Sequence, residues 1–138
     1  MSRAQSNEEK MNLKDYFSNT AGLGILSTAH SSGTVNSAVY ARPHFLGDDQ
    51  VTFIMRDRLT RANLQSNPSA NYMFVQRSGG LTGLRINLRK ISESNDQEQI
   101  AKLSRRNKNL ESDELRYLVS FKVEKVLSLI GGDEYSIN

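Results

Sequence analysis

Gln50-Val-Thr-Phe-Ile-Met55, then Arg56-Asp-Arg-Leu-Thr-Arg61, then Ala62-Asn-Leu-Gln-Ser-Asn-Pro68 is the stretch on which the fold of this chain turns. Its first six residues are rich in β-formers and read as a strand. The charged junction that follows feeds a short helix over residues 59–66. Pro68 stops that helix, because the residue before a proline is pushed out of the helical region. A strand end and a helix start therefore meet at 56–61, where backbone N–H groups point outward without partners. Three arginines against one aspartate leave the junction with a net charge of +2. A helix N-terminus ordinarily prefers acids, so these arginines oppose the helix dipole. An anion resolves the conflict: amides, the Thr60 hydroxyl and guanidinium forks make a phosphate cradle. The competing reading is a solvated basic turn whose arginines pair with Asp57 and nearby acids.

Working back toward the N-terminus, residues 22–30 read as a strand, 31–33 as a turn and 34–42 as the hairpin partner. In the second strand Val35, Ser37, Val39 and Ala41 face one way, and Asn36, Ala38, Tyr40 and Arg42 the other. Pro43 ends regular pairing. With Gly47-Asp-Asp49 as the next turn, the three consecutive strands make an antiparallel meander. Small Ala41 between Tyr40 and Arg42, followed by a proline that frees the backbone, suits a flat ligand lying along a strand. The alternative is a strand whose alternation simply breaks at its end. As neighbouring strands of one meander, this segment and the arginine junction are placed to line one site. Further upstream, Asn12 caps a two-turn helix with Leu13, Tyr16 and Phe17 on one face. Residues 1–10 are polar and read as a disordered tail.

Beyond Pro68, residues 71–76 form a strand, 78–83 a flexible turn, and 84–91 a strand with Ile86 and Leu88 inward and Arg85, Asn87 and Arg89 outward. Ser94 with Gln97 three residues on is a capping-box signature for a helix through about residue 107, followed by a polar loop over 107–113. Residues 117–124 alternate, with Tyr117, Val119, Phe121 and Val123 on one face, and 127–130 extend that strand before Gly131-Gly132 and a polar tail. Six strands with two or three short helices, and no helix between each pair of strands, give a mostly β chain. Its antiparallel sheet closes as a small barrel. At 138 residues, the segment 11–138 is one domain.

Composition narrows the function classes. There are 18 Lys and Arg against 15 Asp and Glu, a formal +3, mildly basic rather than polycationic. With no cysteine, disulfide scaffolds, thiolate metal sites and cysteine nucleophiles are excluded. No apolar run reaches transmembrane length, and the N-terminal residues lack a signal-peptide core, so the expectation is a cytoplasmic protein with no membrane partner. His30 and His44 lie at or beside strand ends with no nearby second ligand, which gives no metal site. No serine sits in a nucleophile elbow, and neither Gly22-Leu-Gly24 nor Gly79-Gly80 continues into a dinucleotide fingerprint or P-loop. Residues 85–108 hold seven basic and three acidic side chains but no interleaved aromatics, so no nucleic-acid partner is expected.

The order hairpin, strand, arginine junction, short helix ending Asn67-Pro68, then strand Tyr72-Met-Phe74 resembles the pyridoxamine 5′-phosphate oxidase-like FMN-binding split-barrel family. Residues 33–45, 51–58 and 63–68 carry the resemblance, which covers roughly residues 13–91 well and the rest in order of elements. It implies a six-stranded antiparallel split barrel and a homodimer with FMN in the grooves between subunits. Val39, Tyr40, Ala41 and Arg42 would run along the isoalloxazine. Met55, Arg56, Asp57, Arg58, Thr60 and Arg61 would hold the ribityl phosphate, and Arg85 of the partner subunit would reach the flavin.

The chain also departs from the family. Thr60 stands where many relatives carry a phosphate-binding lysine, so Arg58 or Arg61 supplies the charge, as a bidentate fork can. The Arg-x-His substrate motif of true pyridoxamine phosphate oxidases is absent, so that activity is not expected. The resemblance implies a flavoprotein, an FMN-dependent oxidoreductase whose substrate and electron donor are unassigned. FMN is expected ahead of FAD or haem. Tyr40 and His44 are candidate substrate contacts, and no residue is an evident acid or base. The alternative is a non-catalytic flavin or haem binding or storage module, with His44 as the haem's axial ligand.

Overall fold

Alternate apolar side chains along the long strands converge on one core, and the chain is wound so that they can. The computed structural model describes residues 10–47, 49–104 and 114–137. Its elements are β1 (Lys10–Met11), α1 (Leu13–Asn19), β2 (Gly22–Ala29), β3 (Val35–Val39), β4 (His44–Gly47), β5 (Gln50–Arg56), α2 (Leu59–Ser66), β6 (Ser69–Gln76), β7 (Gly83–Ser94), α3 (Gln97–Leu103), β8 (Arg116–Ser128) and β9 (Glu134–Ile137). Strands β3, β2, β6, β7 and β8 pair in that order, each antiparallel to the next, and β5 pairs with β8 and with β4. Leu26, Phe53, Phe74, Ile86, Leu88, Val119 and Phe121 point inward and are almost wholly buried. At one end α1 adds Leu13 and Phe17 to the same core, with Phe17 edge-on to Phe74 at 5.0 Å. The result is a mostly β split barrel, as expected. Among the described residues no helix is long and apolar enough to cross a membrane.

The expected meander of three paired strands does not form. Strand β3 pairs with β2 and not with β5, which lies against β8 with Val51 opposite Phe121 and Met55 opposite Tyr117. Regular β3 ends at Val39, three residues short of the expected 42, because the Tyr40 and Ala41 carbonyls turn aside to accept from the Tyr72 hydroxyl at 3.0 and 3.1 Å. The gap between β3 and β5 is the split, and α2 lies in it against β2, β3 and β5. Asn63 Nδ2 donates to Thr28 Oγ1 at 3.1 Å, both residues buried, and Asn36 Nδ2 donates to Thr60 Oγ1 at 3.4 Å. Helix α2 spans the expected residues.

Other boundaries move for identifiable reasons. Strands β7 and β8 outrun their expected lengths because they pair along almost their whole extent, through two register shifts. Ser94 consequently still belongs to β7, opposite Leu118, and the helix cap shifts to Asp96, whose Oδ1 accepts from the Glu98 and Gln99 amides. The Gln97 side chain donates to the Asn95 and Arg116 carbonyls instead of closing a capping box. Asn12 caps α1 as expected, accepting from the Asp15 amide. Strand β9, in what was expected to be a polar tail, lies antiparallel to β8, and β1 runs parallel to it with Lys10 opposite Ser136. Residues 1–9 of the expected tail and 105–113, with the end of the expected helix and its loop, lie outside the described residues.

Candidate functional site

The arginine junction forms as strand β5 leaves the barrel wall. Met55 is the last inward residue and is wholly buried, so its side chain belongs to the core, whereas Arg56 faces solvent. The first backbone bond of α2 runs from the Ala62 amide to the Arg58 carbonyl at 3.0 Å, and Arg58 at the N-cap position offers no side-chain cap. Among the described residues nothing accepts from the amides of residues 59–61. A bare first turn of this kind, with positive dipole end and flanking cations, is suited to an anion. Arg58 contacts the Glu114 carboxylate at 2.7 Å, and Arg56 Nε stands 3.9 Å from it. Both arginine side chains remain largely exposed, Arg58 at 63%.

Arg61 is placed differently. Its side chain is only 18% exposed and its guanidinium lies 3.7 Å over the Tyr117 ring, a cation–π contact. One terminal nitrogen donates to Asp57 at 3.0 Å and the other to Glu93, while buried Nε has no hydrogen-bond partner. Glu93 also accepts from Lys90 at 3.1 Å and Gln65 at 3.3 Å. Burial pushes the Glu93 carboxyl up, but the hydrogen bonds from Arg61, Lys90 and Gln65 outweigh it and hold the group below its ordinary value. The hydrogen bond with Glu93 raises the Arg61 pKa. All three arginines of the junction thus have acidic neighbours, but not equally: Arg61 is enclosed by Asp57 and Glu93, whereas Arg58 and Arg56 meet Glu114 and stay exposed.

Thr60 joins the junction to the Val39–Arg42 segment. It is buried, and its hydroxyl accepts from Asn36 and is hydrogen-bonded with Tyr40. Burial raises the Tyr40 pKa and the bond with Thr60 opposes that. The Tyr40 ring sits edge-on to Phe53 at 5.8 Å. Arg42 turns away and donates to the Phe17 and Thr20 carbonyls at 2.8 and 2.9 Å, closing the C-terminal end of α1. Ala41 is exposed, and Val39 is 70% exposed on the outer face of the barrel. Across that face Val39, Ile25, Met73 and Arg85 fall in one row on four adjacent strands. Arg85 is held at the end of the row by the Ser128 and Gly131 carbonyls at 2.9 and 2.6 Å. The sequence reading missed this outer apolar row, although the alternation of Leu23, Ile25 and of Met73, Val75 was visible.

His44 lies on β4 opposite Thr52, half-buried, and desolvation lowers its pKa. A cavity of about 390 Å³ at the far end of β5 is lined by Leu13, Phe45, Val51, Val123 and Ile137 with polar Asn12, Lys14, Asp49 and Gln50. None of the candidate site residues named from the sequence lines it. Among the described residues no three acidic or histidine side chains gather to hold a metal.

No protein-family model and no curated protein matches the sequence. Solved structures do match. An FMN-binding protein from Syntrophomonas wolfei subsp. wolfei is 20% identical, with a TM-score of 0.69 over 93% of this chain and 88% of that one. HupZ of Group A Streptococcus gives 20% identity and 0.69 over 90% and 96%. A protein from Clostridium acetobutylicum related to general stress protein 26, of the pyridoxinephosphate oxidase family, gives 14% and 0.62 over 83% and 84%. At these identities the likeness is one of fold.

Proposed function

We propose that this chain, a split barrel of the kind seen in pyridoxamine 5′-phosphate oxidase-like proteins, binds FMN and works as a flavin-dependent oxidoreductase in a homodimer. The supporting observation is the uncapped first turn of α2 beside two outward arginines. The residues there fit a ribityl phosphate. Amides 59–61 would donate to it, and Arg56 and Arg58 would neutralise it as planar forks. Thr60 would contribute its amide, since its hydroxyl is engaged by Asn36 and Tyr40. Arg61 and Asp57 would hold the helix start in place. The isoalloxazine would lie along the backbone of Val39–Arg42, which the Tyr72 hydroxyl tethers.

A second copy would cover the outer apolar row, where Val35 and Val39 are 67% and 70% exposed, and would bring its own Arg85 toward the ring. When bound, the cofactor supplies the redox chemistry, and the protein positions it and shields one side from water. A small molecule, as electron donor or acceptor, would meet the open side, with Tyr40 and His44 as its nearest candidate contacts.

The first test is the visible spectrum of the purified protein before and after loading with FMN and desalting. A retained flavin spectrum, bleached by dithionite, supports the reading. A colourless protein that retains no FMN overturns it and leaves only the fold.

A further inference from the structure

The arginine pair is not empty of negative charge. Glu114, from the residues just before β8, reaches across to the β5–α2 junction. Its Oε2 lies 2.7 Å from Arg58 Nη1, its Oε1 accepts from Arg58 Nη2 at 3.4 Å, and the same oxygen is 3.9 Å from Arg56 Nε. Two carboxylate oxygens facing one guanidinium fork is the arrangement arginine also offers a phosphate. The Glu114 side chain is 27% exposed, less than either arginine it meets. Arg61 is already matched by Asp57 and Glu93. Any anion that comes to this turn must therefore compete with Glu114 for Arg56 and Arg58.

We infer that Glu114 is a resident counter-anion that occupies the cations of the candidate phosphate site and sets which ligands displace it. This inference rests on the FMN reading of that site and goes beyond it by assigning the residue that a phosphate ligand must displace. A phosphomonoester carries between one and two negative charges at pH 7, with its second proton lost near pH 6, and three acceptor oxygens. It outcompetes a single carboxylate. A neutral ligand such as riboflavin gains nothing from the exchange, and the diphosphate of FAD, whose two phosphoryl groups carry one charge each, gains less than FMN. Glu114 thus sets a threshold at the site: it lowers the affinity of any ligand that must take the arginines from it and leaves that of riboflavin untouched, so that among anions only a strong phosphate ligand displaces it.

The test compares wild type, Glu114→Gln and Arg56→Ala/Arg58→Ala, titrated with FMN, riboflavin and FAD by flavin fluorescence quenching at pH 7.5 and pH 5.5. Removing the rival carboxylate should tighten FMN by about fivefold, the upper size expected of a surface ion pair. Riboflavin affinity should stay unchanged. The loss of FMN affinity on going to pH 5.5 should be larger in Glu114→Gln than in wild type, because the carboxylate opposes the phosphate dianion more than the monoanion that replaces it. Equal FMN affinity in wild type and Glu114→Gln overturns the inference.

Inorganic phosphate, followed by the NMR shifts of amides 59–61, separates this inference from the flavin reading. If no protein binds FMN but phosphate shifts those amides at lower concentration in Glu114→Gln, the flavin reading falls and the counter-anion stands. If phosphate acts identically on both proteins, or on neither, the counter-anion falls. Matching melting temperatures of wild type and Glu114→Gln check that the comparison is between two folded proteins.

Discussion

Tyr72 shows how much of the candidate site rests on one atom. Its ring is wholly buried between Phe53 and Phe74, while its hydroxyl emerges to donate to the carbonyls of Tyr40 and Ala41. Burial pushes its ionisation above the ordinary tyrosine value, which favours the protonated form that donates. Gly24 completes the arrangement: a Cβ there would lie 1.9 Å from the Tyr72 hydroxyl and 2.6 Å from the Tyr40 carbonyl, so any side chain would dislodge both. Tyr72→Phe keeps the packing and frees the two carbonyls. It should cost about 1 kcal/mol in urea unfolding and weaken FMN retention, with the barrel otherwise intact by circular dichroism.

Glu93 makes a second prediction at this scale. Its folded pKa lies below the ordinary carboxylate value, so its pairing contributes fully at neutral pH. That contribution fades as acid carries the solution through the ordinary carboxylate range and then through the lower folded value. Glu93→Gln, which leaves the guanidinium of Arg61 short of a partner, should lose about 2 kcal/mol at pH 7. Thermal melts of mutant and wild type should converge as the pH falls below the folded value. A constant difference across that range would mean that the Glu93 charge is not what holds Arg61. The sequence displayed the three arginines as a cluster but not their division, because Glu93 and Glu114 lie 32 and 56 positions from the arginines they meet. Only the closed barrel brings them together.

At the scale of elements, the junction and α2 were legible because their signals are local: a β-rich run, a cluster of charge, a proline. The short strands were not. Strands β1, β4 and β9 have two to four residues each, too few for a periodicity, and they exist because a longer neighbour offers unpaired edge groups. The cap of α3 moved for a related reason, since pairing with β8 carried β7 past the residue that local capping rules select. If the first turn of α2 holds a phosphate, Arg56→Ala/Arg58→Ala should weaken FMN at least tenfold, the effect of losing charge-assisted bonds each worth about 1.5–3 kcal/mol. Riboflavin binding should be unaffected. Equal losses for both ligands would place the arginines in the fold rather than in the phosphate site.

For the whole molecule, the barrel class followed from counting strands, but its closure did not. Consecutive strands usually lie side by side, and here β3 and β4 do not pair while β5 joins β8, so that Thr52 meets Ser120 at 2.8 Å, 68 residues away. The outer face left by that closure bears on assembly. Val39→Lys sets a charge in the apolar row and, if two copies meet there, should convert a dimer to a monomer by analytical ultracentrifugation and release flavin with it. A dimer unchanged by the substitution would move the interface elsewhere.

The helix that fills the split has one more consequence. Because α2 bridges β2 and β3 through Asn63 and Thr60, whatever settles on its first turn also braces the seam of the barrel. A ligand present at a hundred times its dissociation constant adds about 2.7 kcal/mol to the folded state. The gain should appear first as slower deuterium uptake along β3, an edge strand that pairs only with β2. The seam is therefore a built-in reporter: a library of phosphorylated metabolites can be ranked by differential scanning fluorimetry with no assumption about the reaction. Flavins need not be treated as a special case.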